Sequence, residues 1–138
     1  MLAALITILF SSEPISIPKL HDDRLELTLI ASEPDIVTPT GVAVDARARV
    51  FVVACHTHFR PKDYPGPIKD RILLFDDIAP EGKSPPPKVF FEGTEATMNI
   101  GISPQGDLFI ATRQEIWAIR GIDRLDRATE PIRIAHLD

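Results

Sequence analysis

The chain has 138 residues, a formal net charge of −5 and one cysteine. The length allows one domain or part of a larger one, and the single cysteine excludes an internal disulfide and a Cys-rich metal site. The acidic balance argues against nucleic acid as a partner, and the 13 prolines argue against a helical bundle. A hydrophobic fraction of 44% favours a packed globular core.

The first 24 residues are interpreted as the remnant of an export signal followed by a linker. Residues 2–10 form an apolar run that is shorter than the roughly 20 residues needed to span a bilayer and matches the hydrophobic region of a secretory signal peptide. No Lys or Arg precedes the run and no small-residue cleavage site follows it, so a buried N-terminal strand or helix is the alternative. Export would place the chain in a periplasm or outside the cell, with membrane association as a further option.

From residue 25 onwards, short apolar runs alternate with turn signals, which is typical of an all-β fold. The first run, Leu25–Ala31, alternates apolar and polar residues and predicts a half-buried strand. The other runs predicted as strands lie at residues 41–44, 50–54, 72–75, 88–91, 100–103, 108–112, 116–119 and 132–136.

An internal repeat groups these strands into two units. Residues 42–54 align with 100–112 at an offset of 58, whereas residues 72–75 align with 116–119 at an offset of 44, so the first unit carries an insertion of 14 residues. Without the insertion each unit has four strands in about 44 residues, the period of a β-propeller blade. We predict a partial propeller over residues 25–138, with one blade at about 41–92, an insertion at 55–70 and a second blade at about 98–138.

The insertion holds most of the candidate chemistry, because loops on a rigid scaffold are where binding and catalysis concentrate. His56 and His58 lie two residues apart, so in an extended segment they share one face and either is a candidate general base. No third ligand lies nearby, and we assign no metal site. Arg60 and Lys62 are candidates for holding an anionic group, and Tyr64 adds an aromatic ring with a hydroxyl.

Arg113 belongs to the short hairpin that corresponds to the insertion in the second unit, so we expect it on the same rim as His56. It joins Arg60, Lys62 and Tyr64 as a candidate for binding a cofactor or substrate. The alternative is a proline-stiffened loop in which these polar residues are only solvated.

Residues 31–138 resemble the N-terminal part of the membrane-bound dehydrogenase propeller domain of planctomycetes, which is similar to the quinoprotein glucose/sorbosone dehydrogenases. The resemblance rests on ASEPDIVTPTG at 31–41, HTHFRP at 56–61, DRILLF at 70–75, FEGT at 91–94 and ATR at 111–113. It implies a six-bladed, TolB-like propeller with a site on one rim, exported, and oxidising a sugar or alcohol with pyrroloquinoline quinone (PQQ) and Ca²⁺. In such enzymes a histidine takes the alcohol proton, and His56 or His58 is the candidate here.

The sequence departs from that family in three places. Ala48 stands where a glycine is usual, and residues 78–87 lack the Asp/Gly-rich repeats that would support a calcium role. No Cys-x-x-Cys-His motif occurs, so the chain carries no site for a c-type haem.

The sequence is compatible with three functions. The chain is an N-terminal fragment of an exported dehydrogenase, a non-catalytic module that binds a carbohydrate or a partner protein, or an inactive truncated gene product. Two blades alone would expose apolar faces and sheet edges. We therefore expect the chain by itself to be inactive, and its partners to be a small sugar or alcohol, the remaining blades or copies of itself.

Overall fold

The computed structural model describes residues 16–79, 81, 84–128 and 130–138, so the apolar run at 2–10 and its interpretation as an export signal lie outside it. Within these residues the predicted all-β fold is confirmed. No helix in the described part of the chain is long and apolar enough to cross a membrane. The strands are β1 (Pro39–Val44), β2 (Val50–Ala54), β3 (Asp70–Phe75), β4 (Lys88–Thr94), β5 (Thr97–Ile102), β6 (Leu108–Thr112), β7 (Glu115–Ile119) and β8 (Ile132–His136), with a 3₁₀ helix at Ile122–Arg124.

The strands form two four-stranded antiparallel sheets, each in chain order: β1-β2-β3-β4 and β5-β6-β7-β8. This is the arrangement of a propeller blade, in which consecutive strands are joined by hairpins. We call the sheets blade 1 and blade 2. The long connection predicted as an insertion is the link between β2 and β3 of blade 1.

The sequence repeat extends to the backbone. Thr38 and Ala96, which are 58 residues apart, both have a positive φ, of 46° and 47°. Ala48 and Gly106, at the same offset, occupy the tight β1–β2 and β5–β6 turns with φ of 60° and 80°. Each first strand also has a register shift at the same position, between Pro39 and Gly41 in blade 1 and between Thr97 and Asn99 in blade 2.

The main core lies between the two blades. Because side chains alternate across a strand, one face of each blade points at the other blade. Phe51 packs edge to face on Phe90, with ring centres 5.0 Å apart. The core includes Phe51, Val53, Ile72 and Leu74 from blade 1 and Ile100, Leu108, Ile110 and Ile119 from blade 2. A smaller cluster, Val52, Ala54, Leu73 and Phe75, lies on the opposite face of blade 1.

The strand predicted at Leu25–Ala31 is wrong, because this segment has no regular secondary structure. Its alternating leucines, Leu25, Leu27 and Leu29, are exposed, and only its end packs on the smaller cluster of blade 1, through Ile30 and Ala31. Alternating apolar residues indicate which side of a strand would be buried. A strand also needs a neighbouring strand that pairs with its backbone hydrogen-bonding groups. The described part of the chain offers this segment none.

The connections lie at two opposite ends of the blades, which we call the first and second rims. The first rim carries the β2–β3, β4–β5 and β6–β7 links, and the second carries the β1–β2 and β5–β6 turns together with the 3₁₀ helix.

Candidate functional site

Three connections meet on the first rim, where backbone and side-chain hydrogen bonds join the two blades. The backbone N–H of Ala96 donates to Thr57 Oγ1 at 2.6 Å, and the backbone N–H of Arg113 donates to the carbonyl of Ala96 at 3.1 Å. The predicted proximity of the insertion and the Arg113 hairpin is therefore present. The three connections are residues 55–69, 95–96 and 113–114.

Asp70 is the hydrogen-bond centre of this rim, and only 1% of its surface is exposed. Its Oδ1 accepts from the backbone N–H of His56 at 2.7 Å, and from the N–H and hydroxyl of Thr57, both at 2.9 Å. Its Oδ2 accepts from the backbone N–H of Thr97 at 2.8 Å. Burial by itself raises the pKa of Asp70, but the hydrogen bonds from Thr97, Thr57 and His56 outweigh it and hold that pKa below its usual value.

His56 is buried within its own loop, with 9% of its surface exposed. Its Nδ1 lies 2.6 Å from the hydroxyl of Tyr64. Burial, and then the positive charge of Arg71, lower the pKa of His56 below its ordinary value. The imidazole is therefore uncharged at neutral pH, which is the state that a general base requires.

His58 does not share a face with His56, contrary to the expectation from their spacing. Residues 57–59 form a bend and a turn in place of an extended segment, and Phe59 has a φ of 52°. The ring of His58 packs on Phe59 with centres 4.1 Å apart, and its Nδ1 lies 3.5 Å from Nη2 of Arg113. The two imidazoles therefore contact different groups.

Arg60 holds the loop in its fold. Its guanidinium donates to the carbonyls of Pro67 at 2.6 Å and Gly66 at 3.2 Å, and it lies 5.2 Å from the ring centre of Tyr64. Lys62 is exposed on the same loop. The anion-binding roles of Arg60 and Lys62 stay predictions. The contacts of Arg60 indicate that it positions Tyr64.

Arg113 is the cation best placed to meet a ligand on this rim. Its side chain is exposed, and within the described residues it forms no ion pair with a carboxylate. Its neighbour is the imidazole of His58 from the other blade. Positive charge at the junction of the blades is therefore available to an anionic group.

Beside Arg113 lies a groove of about 450 Å³. Its fixed point is Glu115, whose carboxylate accepts hydrogen bonds from Trp117 Nε1 at 3.0 Å and from Arg133 at 3.2 Å, with His136 Nδ1 at 3.3 Å. Burial by itself raises the pKa of Glu115. The hydrogen bonds from Arg133, Trp117 and His136 outweigh this effect and lower the pKa below its usual value. Lys69, Glu95 and Gln114 also line this groove.

Calcium, which the family resemblance implies, finds no support in this site. In residues 16–79, 81, 84–128 and 130–138, no three or more His, Cys, Asp or Glu side chains come together in a way that could hold a metal ion. The carboxylate of Asp70, which has the charge for such a role, is already surrounded by hydrogen-bond donors.

The fold of this chain is similar to that of a solved protein. The chain is similar to the solved holo form of the PQQ domain of pyranose dehydrogenase from Coprinopsis cinerea, with a TM-score of 0.57 and 15% sequence identity. The match covers 80% of this chain and 24% of that one, so the chain spans about a quarter of that domain. The two blades thus have the fold of part of that domain.

The family follows from the sequence itself. Residues 16–131 match the family described as "Domain of unknown function (DUF7133)", and the chain belongs to it. A search of curated proteins found no match.

Proposed function

We propose that this chain contributes two blades, and part of the active rim, to a quinoprotein-like dehydrogenase that oxidises a sugar or alcohol with PQQ. The observation that carries the proposal is that the neutral His56 and the pair of His58 and Arg113 lie on the same rim of blades that have the fold of a PQQ domain. Because the chain spans about a quarter of that domain, we propose that further blades complete the ring.

The residues of the first rim fit a quinone that bears carboxylates. Arg113 is exposed and next to His58, and it has no acidic partner among the residues that the structure describes. Such a guanidinium is suited to bind a carboxylate in a bidentate manner. When bound, PQQ would supply the two-electron acceptor for oxidation of an alcohol. Arg60 and Asp70 would act indirectly, by fixing the loop that carries His56 and Tyr64.

His56 is the better candidate of the two histidines for the base. When its Nδ1 carries the proton and donates it to the Tyr64 oxygen, the lone pair of Nε2 is free to accept the proton of a substrate hydroxyl. The lowered pKa of His56 keeps the ring neutral for that step. His58 is placed by Arg113 and is the better candidate for holding the ligand.

A dye-linked assay tests this proposal. Because the chain by itself is expected to be inactive, the assay uses a polypeptide in which these two blades are joined to the further blades that complete the ring. It is supplied with PQQ, Ca²⁺, an artificial electron acceptor and a panel of aldoses and primary alcohols. We expect dye reduction that requires PQQ, and a loss of about 100-fold in rate for His56→Gln, the size typical of general-base removal. His21→Gln, at an exposed histidine of the segment that precedes β1, is the matched control and should retain the rate. Absence of any PQQ-dependent reduction would contradict the proposal.

The second candidate function is binding of a carbohydrate without turnover. It is favoured by the groove around Glu115, where a fixed carboxylate, the indole of Trp117 and the amide of Gln114 lie together. Aromatic rings and planar polar groups are the side chains that recognise sugar hydroxyls and ring faces. Binding of an oligosaccharide that Glu115→Gln weakens, with no dye reduction, would favour this function over the dehydrogenase.

Export is also a proposal, and it rests on the apolar run at residues 2–10. Expression of the chain in a Gram-negative host followed by fractionation tests it. The protein should appear in the periplasm, and Leu5→Arg, which interrupts the apolar run, should retain it in the cytoplasm.

A further inference from the structure

The groove beside Arg113 lies between the two blades. Blade 1 lines it with Thr94 and the link that follows β4, and blade 2 lines it with Gln114, Glu115 and Trp117. Its volume of about 450 Å³ falls within the range of roughly 300–1,000 Å³ that is typical of small-molecule sites. Both walls come from adjacent blades of this chain, so the groove is complete without further blades.

The groove adjoins the loop that carries the two histidines. Ala96 lines the groove, and its backbone N–H donates to the hydroxyl of Thr57, the residue between His56 and His58. Arg113 also lines the groove, and its Nη2 lies 3.5 Å from Nδ1 of His58. Neither histidine lines the groove itself. A ligand in the groove would therefore lie beside the candidate base without contacting it.

Most charges of the groove are paired with one another. Lys69 forms an ion pair with Glu95, and Glu115 forms one with Arg133 at 3.2 Å. Among the residues that the structure describes, Arg113 forms no such pair. This arrangement favours a neutral ligand, because an ionic ligand would find few free charges of the opposite sign.

The polar groups of the groove suit a neutral ligand that is rich in hydroxyls. The exposed amide of Gln114 can donate and accept hydrogen bonds, and the guanidinium of Arg113 can donate them. The carboxylate of Glu115 is held in place by Trp117 Nε1 at 3.0 Å, and the indole adds an apolar ring surface. A sugar unit, with its hydroxyls and its apolar ring face, matches this combination better than an apolar ligand or an ion.

We propose that the groove binds one sugar unit of an oligosaccharide, and that the neighbouring unit is the one presented to His56. This inference rests on the proposed dehydrogenase and names its substrate class, which is oligosaccharides in preference to free monosaccharides. One sugar unit cannot occupy both places, because neither histidine lines the groove. Arg113 belongs to both, since it lines the groove and neighbours His58.

Trp117 reports directly on the groove, because it is the only tryptophan of the chain. The 138-residue chain, without PQQ, is titrated with α- and β-linked trisaccharides of glucose, mannose, galactose and xylose while its tryptophan fluorescence is recorded. We expect a saturable change with at least one trisaccharide. Gln114→Ala should weaken this binding about fivefold, the value of one neutral hydrogen bond. Gln105→Ala, at an exposed glutamine of the second rim, is the matched control and should bind like the wild type.

Kinetics with sugars of different length test the link to the active rim. The polypeptide with the further blades is assayed by dye reduction on the bound trisaccharide and on its monosaccharide. We expect kcat/KM to be about tenfold higher for the trisaccharide, mainly through a lower KM, because the groove contacts a part of the substrate that does not react. Gln114→Ala should raise the KM for the trisaccharide about fivefold and leave the kinetics of the monosaccharide unchanged.

The outcomes separate this inference from the dehydrogenase. No saturable change in fluorescence with any trisaccharide would overturn the inference, as would equal kcat/KM for the two sugars or an equal loss for both in Gln114→Ala, and the dehydrogenase would stand. Saturable binding at Trp117 without dye reduction on any sugar would contradict the dehydrogenase. It would overturn the substrate assignment with it and retain the groove only as the carbohydrate site of the second candidate function.

Discussion

The carboxylate of Asp70 accepts a hydrogen bond of 2.8 Å from the backbone N–H of Thr97, across the junction of the two blades. The other oxygen of the same carboxylate holds the backbone of His56 and Thr57. A single buried charge therefore fixes the β2–β3 loop to blade 1 and blade 1 to blade 2. The position of the candidate base depends on the same group that joins the blades.

Replacing Asp70 by Asn should lower the free energy of unfolding by about 3 kcal/mol, because the amide nitrogen cannot accept and leaves a buried N–H unpaired. Urea titration followed by circular dichroism measures the change. Asp63→Asn, at an exposed aspartate of the same loop, is the matched control and should leave the midpoint unchanged. Equal midpoints for the two variants would show that the Asp70 contacts contribute nothing.

The lowered pKa of His56 predicts a pH dependence of stability. Burial and the charge of Arg71 lower the pKa in the folded chain, while the unfolded chain has the ordinary value of about 6.5. Below that pH the unfolded state binds a proton that the folded state does not, so stability should fall as the pH drops from about 7 to about 5. In His56→Gln this part of the slope should disappear. A slope identical to that of the wild type would assign the dependence to other groups.

Arg49 joins the blades at the second rim, where its side chain is buried with that of Asp45 at 2.7 Å. It also donates to the carbonyls of Leu125 and Ile122, both at 2.8 Å. Arg49→Met should cost about 3 to 5 kcal/mol, because it leaves the buried Asp45 charge without its partner. Arg47→Met, two residues away and exposed with one bond to the second blade, should cost less than about 1 kcal/mol. Comparable losses for the two variants would show that Arg49 does not join the blades.

The turn between β1 and β2 requires a residue in the left-handed conformation, which favours glycine, but the sequence has an alanine there. Ala48 has a φ of 60°, whereas Gly106 occupies the corresponding turn at 80°. Ala48→Gly should raise the melting temperature, since the left-handed conformation costs a residue with a Cβ about 1 to 2 kcal/mol. Gly106→Ala should lower it by a similar energy without a clash, because the added Cβ would lie 3.7 Å from Asp123. Shifts of the same sign for both changes would contradict this interpretation.

The strands were predictable because their signal is local and repeated. β2 and β6 have the boundaries expected from the sequence, and the two offsets place corresponding strands at corresponding positions in the two sheets. Leu25–Ala31 has the same apolar alternation and forms no strand, because pairing depends on a neighbour that alternation does not reveal. The separation of the two histidines by the bend at residues 57–59 was not predictable for a related reason. The hydroxyl of Thr57 donates to Asp70 and accepts from the backbone N–H of Ala96, and both partners are distant in sequence.

The residues that organise the rims were not predictable. Asp70 and Arg49 stand at the ends of apolar runs, where a charged residue is ordinarily exposed. Their burial depends on donors and acceptors 27 and 76 residues away. The groove around Glu115 has no local signal, because Trp117 belongs to an apolar run and packs on the core, while its indole N–H donates to the carboxylate of Glu115. For Asp70, the available signal was its position directly between a polar loop and a buried strand.

Binding of PQQ to the first rim tests the central claim most directly. In equilibrium dialysis the chain should bind PQQ saturably, and Arg113→Ala should weaken binding by about tenfold or more, the value of one charge-assisted hydrogen bond. Arg124→Ala, which removes another exposed arginine, from the second rim, should bind like the wild type. No saturable binding, or an equal loss in both variants, would contradict a quinone site at the junction of His58 and Arg113.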